Sequence, residues 1–174
     1  LGRSAAAAWD GTAAESFEGG NGDSSNPYII KTAEQLAFLA EQVNGGETYQ
    51  GKYFQLEADL DLSGSEWAPI GTEERETDGS TVTKPFAGTF DGNNHKISGL
   101  KLTAGLDGQG LFGCSSGTIR NLGIENGNIS IGSAERTGAI CGYSTGTIEN
   151  CWNSADITGS TEGGKYVGGI CGYS

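Results

Sequence analysis

The segment LFGCSSGTIRNL, starting at Leu111, returns 29 residues later as ICGYSTGTIENC from Ile140. It begins again after a further 30 as ICGYS from Ile170. The glycine, serine, Gly-Thr-Ile and asparagine keep their places in the first two copies, and the glycine and serine in the third. A period near thirty, with several short strands per unit and no helix between them, restricts the chain to a solenoid in which each repeat forms one turn. A single turn has nothing to bury its apolar face against, so turns must stack to make a core. Neighbouring strands would then be parallel and about 4.8 Å apart. The composition agrees: 31 glycines suit sharp corners, and regularly spaced Val, Ile, Leu and Phe argue against disorder.

Ahead of the repeats, YIIKTAEQLAFLAEQVNGG changes period. Thr32 followed by Gln35 is a capping-box pattern, and Leu36, Leu39, Ala40 and Val43 share one helical face. Gly45 and Gly46 stop the helix, which is expected over about 33–44 as a lid on one end of the stack. KYFQLEADLDLSG then alternates Phe54, Leu56, Ala58, Leu60 and Leu62 with polar residues and predicts a strand. The charged stretch TEERETDGSTVTK reads as a solvent loop between two strands. Residues 1–8, LGRSAAAA, read as a signal-peptide remnant or a cloning scar and are set aside. Residues 9–174 read as one domain that stops in mid-repeat.

The segments NPYIIKTAEQLAFLAEQVNGG, GKYFQLEADLDLSGSEWAPIG, FAGTFDGNNHKISGL, GLFG, GTIRNLGI and GTIENC…VGGICGYS, in that order, carry a resemblance. The chain resembles the bacterial GLUG-motif modules within the pectin-lyase-like β-helices. The resemblance implies an all-β, right-handed parallel β-helix with one N-terminal capping α-helix, secreted or displayed on a bacterial cell surface. It fixes no activity. Such modules occur in adhesin-like chains and ahead of the catalytic part of immunoglobulin-A-cleaving metalloproteases. The single histidine, His95, is too few for the HExxH pair those zinc enzymes need.

Several residues invite a chemical role. Asp91-Gly92-Asn93-Asn94-His95 could be read as an acid/base site, but Gly and Asn tolerate positive φ and Asp bonds its own backbone, so the stretch is expected to be a turn. Glu57, Asp59 and Asp61 share one face of the expected strand and form the candidate calcium set, the one cofactor considered. Tyr143 and Tyr173 align one turn apart, and Trp152 follows Cys151 on the opposite face. These three aromatics are the candidate ligand-binding residues. Trp67 is expected to pack inside. Cys141 and Cys171 align with Phe112, and Cys151 with Leu122, so these are expected to be buried reduced thiols. Cys114 aligns with the two tyrosines and is expected to be less buried. No CxxC pair supports a zinc knuckle.

The formal net charge of −12 repels phosphate and excludes a nucleic-acid partner by electrostatics. No stretch reaches the roughly 18 apolar residues of a membrane span, so no membrane insertion is expected. Glu125, Glu149 and Asp156 are scattered and name no catalytic cluster. The expected function is therefore a non-catalytic extracellular module, a stalk or an adhesive surface, with glycan, host surface protein and neighbouring domains of the same chain as partners. An ancillary N-terminal domain of a larger extracellular enzyme is the alternative. A polysaccharide lyase or hydrolase in its own right is the least favoured reading.

Overall fold

The computed structural model describes residues 8–160, 162 and 165–174, so all but the last residue of the segment set aside, 1–8, lies outside it. It is a parallel β-solenoid of about five turns with one helix. The longest sheet stacks Tyr28–Ile30, Tyr53–Leu56, Thr89–Asp91, Thr118–Arg120 and Thr147–Glu149, one strand per turn. Three-residue strands bury little alone. Stacked in register they align Phe54, Phe90, Ile119 and Ile148 into one internal column. A second sheet aligns Leu60, Ile97 and Ile124, and a third aligns Leu102, Ile129 and Ile157. Phe86 bridges the interior, with ring centroids 5.8 Å from Phe54 and 5.2 Å from Phe112.

The repeat offset read from the sequence is the register of the stack. Phe112 pairs with Cys141, which pairs with Cys171, and Cys114 pairs with Tyr143, which pairs with Tyr173. The repeated Gly-Thr also has a cause. A Cβ on Gly117 would lie 2.0 Å from the Gly88 carbonyl oxygen, and one on Gly146 would lie 2.0 Å from that of Gly117. Turns approach so closely at this column that only a hydrogen fits.

The helix spans Ala33–Asn44, as expected. Thr32 Oγ1 accepts from the Gln35 backbone N–H at 3.2 Å, and Gln35 Oε1 accepts from the Lys31 N–H at 2.7 Å, one residue earlier than in a standard capping box. Leu36, Leu39, Ala40 and Val43 join the core at the end where Tyr28–Ile30 is the outermost strand. The free edge of that strand is covered as well: Glu18 N–H donates to the Ile29 carbonyl, and Ile29 N–H to that of Gly19, each at 2.9 Å.

Two expectations are corrected. The single strand expected from Lys52 is two strands, Tyr53–Leu56 and Leu60–Asp61, in different sheets. Burial keeps alternating around the corner at Ala58, which is why the pattern reads as unbroken. The charged stretch read as a loop is an antiparallel hairpin, Thr72–Arg75 against Thr81–Lys84. Its turn is closed by Asp78 Oδ1, which accepts from the Ser80 N–H at 2.8 Å, with Gly79 at φ +87°.

The Asp91–His95 stretch is the expected turn. Asn93 and Asn94 take φ of 50° and 60°, and Asp91 Oδ1 accepts from the Asn93 N–H at 2.8 Å. Asp91 also accepts from Arg120 Nε at 2.9 Å and Asn121 Nδ2 at 3.1 Å, both one turn on. Asn150 Nδ2 in turn donates to Asn121 Oδ1 at 2.7 Å, which extends the ladder. Burial pushes the Asp91 carboxyl up, but the bonds from Asn121, Asn93 and Arg120 outweigh it and hold the pKa below the usual value. A depressed folded pKa stabilises fully above the unfolded value of about 3.9, and that stabilisation is lost as pH falls through the folded pKa. Asp91→Asn is therefore expected to lower stability by about 1 kcal/mol at pH 7. In urea titrations from pH 7 down to 2, the gap to the parent should close in acid. A gap that ignores pH would remove the carboxylate charge as its source.

Candidate functional site

The side of the solenoid carrying the Cys114–Tyr143–Tyr173 column brings together more chemistry than any single motif suggested. Strand Phe112–Ser115 and its successors Cys141–Ser144 and Cys171–Tyr173 form one sheet. Next to it lies the sheet of Gly108–Gln109, Arg136–Thr137 and Tyr166–Val167, in which Gly108, Arg136 and Tyr166 are in register. Small residues, Gly108 and Cys114, occupy the first turn of both columns. The hairpin settles over them: a Cβ on Gly108 would lie 3.9 Å from that of Glu73, and one on Gly71 would lie 2.2 Å from the Cys114 carbonyl oxygen.

The next two turns carry large side chains. Tyr143 and Tyr173 stack with centroids 5.7 Å apart, and Tyr166 meets Tyr173 edge-on at 4.9 Å. The Arg136 guanidinium lies 4.9 Å from the centre of the Tyr143 ring and 5.5 Å from that of Tyr173. Its other side meets the Glu73 carboxylate of the hairpin. Burial disfavours the Arg136 charge, but the hydrogen bond and charge of Glu73 overcome this and raise its pKa. Glu73 Oε2 and Arg136 Nε are buried without a hydrogen-bond partner among the described residues. Between the hairpin and residues 105–108 lies a cleft of about 490 Å³, lined by Glu73, Glu74, Arg75, Leu106 and Asp107 among others.

Of the expected ligand residues, Tyr143 and Tyr173 therefore share a site, and Trp152 is elsewhere. Trp152 is 47 % exposed on the sheet of Lys96–Ser98 and Gly123–Glu125, and its indole lies flat over Gly123. A Cβ on Gly123 would sit 2.2 Å from that ring, so the missing side chain makes the seat. Arg136, Glu73 and Tyr166 were not singled out from the sequence. Tyr166 had a usable signal in Tyr-Val-Gly-Gly just ahead of a repeat start; the Glu73–Arg136 pair, 63 residues apart, had none.

The candidate calcium carboxylates are dispersed by the corner at Ala58. Glu57 is 3.5 Å from Lys31 Nζ, Asp59 Oδ1 is 3.0 Å from His95 Nδ1 and accepts from the Lys96 N–H, and Asp61 accepts from the Ser63 N–H at 2.9 Å. Hydrogen bonds from Lys96 and His95 hold the Asp59 pKa down. Among the described residues, no group of three His, Cys, Asp or Glu side chains is placed to hold a metal.

The four cysteines are free thiols. Cys114 is only 3 % exposed, against the expectation, because the hairpin covers it; burial, then the Glu73 charge, push its pKa up to about 11. Cys141 is buried as expected. Cys151 and Cys171 are only half-buried, against the expectation of buried thiols, because Cys171 is on, and Cys151 next to, the last strand of its sheet. A thiol–thiol hydrogen bond between Cys141 and Cys171 raises the pKa of the inner thiol and lowers that of the outer one to about 7. At pH 8 iodoacetamide is expected to modify Cys171 first, since a thiol of pKa near 11 is only about one part in a thousand thiolate there. Peptide mass mapping over time checks this, and equal rates at Cys171 and Cys114 would refute it.

Among the described residues no helix is long and apolar enough to cross a membrane. No family model matches the chain. It is 30 % identical over 182 residues to halomucin of Haloquadratum walsbyi and 32 % identical over 195 residues to a protein assigned as a Gly-rich membrane protein in Evansella cellulosilytica. These alignments cover 95 % and 90 % of this chain but only 2 % and 21 % of those proteins. Among solved structures it is similar to a candidate immunoglobulin A1 protease from Bacteroides ovatus, with a TM-score of 0.61 and 29 % identity over 87 % of this chain and 44 % of that one.

Proposed function

We propose that this solenoid is a non-catalytic, GLUG-type module of an extracellular, surface-attached protein, and that it presents a contact surface on a rigid stalk. The observation that carries the reading is the in-register stacking of outward columns, which sets the half-buried Tyr143 and the exposed Tyr173 of successive turns into one strip. Supporting it, the chain matches short portions of much longer relatives, one of them assigned as a membrane protein. The partner would be a glycan or a host surface protein.

The test is a binding screen of the purified chain against immobilised glycans, mucins and host surface proteins. Saturable binding that is lost in Tyr173→Ala, with unchanged melting, is expected. No binding across the panel would reduce the module to a spacer. The similarity to a candidate protease favours a second reading, an ancillary domain of a larger extracellular enzyme. Under that reading, removing the module from the full-length protein would change substrate capture and leave turnover of a small soluble substrate intact.

A further inference from the structure

The corner formed by Tyr166, Tyr173, Arg136 and Glu73 has the makings of a selective site, and its chemistry narrows the ligand. Tyr166 and Tyr173 are 48 % and 43 % exposed, so aromatic surface is open to solvent beside a polar pair. Open aromatic surface accepts the C–H face of a ring or a cation. A cation is disfavoured here, because Arg136 already sits over Tyr143 and Tyr173. An anion is disfavoured by Glu73, Glu74 and Asp107 along the adjoining cleft, where Arg75 is the one lining base and is itself 3.7 Å from Glu135.

The second observation is the unsatisfied ion pair. The Glu73 side chain is 9 % exposed and leaves one oxygen without a partner, while the adjoining Arg136 leaves Nε without one. A buried carboxylate oxygen and a buried N–H left unpaired are costly. A hydroxyl both donates and accepts, so hydroxyl groups fit this pair of free valences. Both atoms are buried at the contact between the hairpin strand Thr72–Arg75 and Arg136, so a hydroxyl reaches them only where these side chains part.

Building on the contact-surface reading above, we propose that this corner binds a neutral pyranose chain, stacked on Tyr166 and Tyr173 and running past Arg136 into the cleft beside the hairpin. The strand register places Tyr166, Arg136 and Gly108 on successive turns, so the site spans about 10 Å along the axis.

Calorimetric titration of the whole chain with neutral oligosaccharides of glucose, galactose, mannose and N-acetylglucosamine tests this, with oligogalacturonate and chitosan oligomers as charged counterparts. At least one neutral series is expected to bind saturably, and the charged ones at least about tenfold more weakly. Tyr166→Ala and Tyr173→Ala should each weaken binding about tenfold or more. Trp152→Ala should leave it unchanged. Tyr166→Leu keeps apolar bulk without an aromatic face and should behave as Tyr166→Ala, which guards against a folding defect. Tighter binding of a charged series would overturn the proposal. So would neutral binding that survives Tyr166→Leu but is lost in Trp152→Ala, although the contact-surface reading would then stand on the other sheet. Binding of mucin or host protein without any free oligosaccharide would defeat the sugar assignment alone. Binding of nothing would defeat both.

Discussion

Trp67→Ala is expected to lower stability by about 4 kcal/mol. The indole is among the largest fully buried side chains, and its ring centroid lies 5.6 Å from that of Trp9. Its Nε1–H donates to the Leu111 carbonyl at 2.9 Å, tying residues 44 positions apart. Truncation opens a cavity and removes one of the two hydrogen bonds to that carbonyl, which keeps the one from the Ile70 N–H at 2.9 Å, so the cavity is the larger penalty. Such a loss is a large share of the 5–15 kcal/mol typical of a folded domain. Trp67→Phe refills most of the volume but not the hydrogen bond, and should lose about half as much. Urea unfolding of the parent and both variants separates the two contributions. A loss below about 1 kcal/mol for the alanine variant would show that the junction collapses to fill the hole.

Gly117→Ala is the second large effect, and here a single methyl group does the damage. The added carbon would meet the Gly88 carbonyl oxygen at 2.0 Å, backbone that cannot swing aside. Relief requires the turns to separate locally, which strains the parallel pairing of Thr118 with Thr89. A loss of about 3 kcal/mol is expected, at the upper end for overpacking. Gly146→Ala repeats the experiment one turn on, where the contact is again 2.0 Å. Gly169→Ala is the control, since nothing among the described residues lies within 4 Å of its added carbon, and it should stay within about 0.5 kcal/mol of the parent. Thermal melts followed by circular dichroism would report all three. Equal melting of the Gly117 and Gly169 variants would contradict the close-approach account.

What the sequence made legible follows from what repetition encodes. The offset between Leu111 and Ile140 is the register of the stack, so the pairing of Phe112 with Cys141 could be read without coordinates. Helix bounds and the Asp91–His95 turn were legible because caps and positive-φ residues act locally. The corner at Ala58 was not, because burial alternates through it as it does along a strand. The hairpin hid behind its charge, although Asp78-Gly79 followed by Thr81, Val82 and Thr83 is a hairpin signature. Cys114 was expected to be less buried because it aligns with Tyr143 and Tyr173; the hairpin that covers it, and that brings Glu73 to Arg136, lies outside the repeat. The tyrosine ladder was visible from the repeat, whereas the pair that gives it polarity depends on an insertion outside the repeat.

The in-register stacking also sets how this protein bears load. Its inter-strand hydrogen bonds run along the solenoid axis, so tension between the two ends pulls on them lengthwise and releases turns one after another. The turn next to the helix resists such peeling, because it is held by a covering segment and a capped apolar face. Each turn of 29 residues frees roughly 100 Å of chain at 3.3–3.6 Å per residue. A stack built this way yields in steps under load, giving up length while the remaining turns keep their fold.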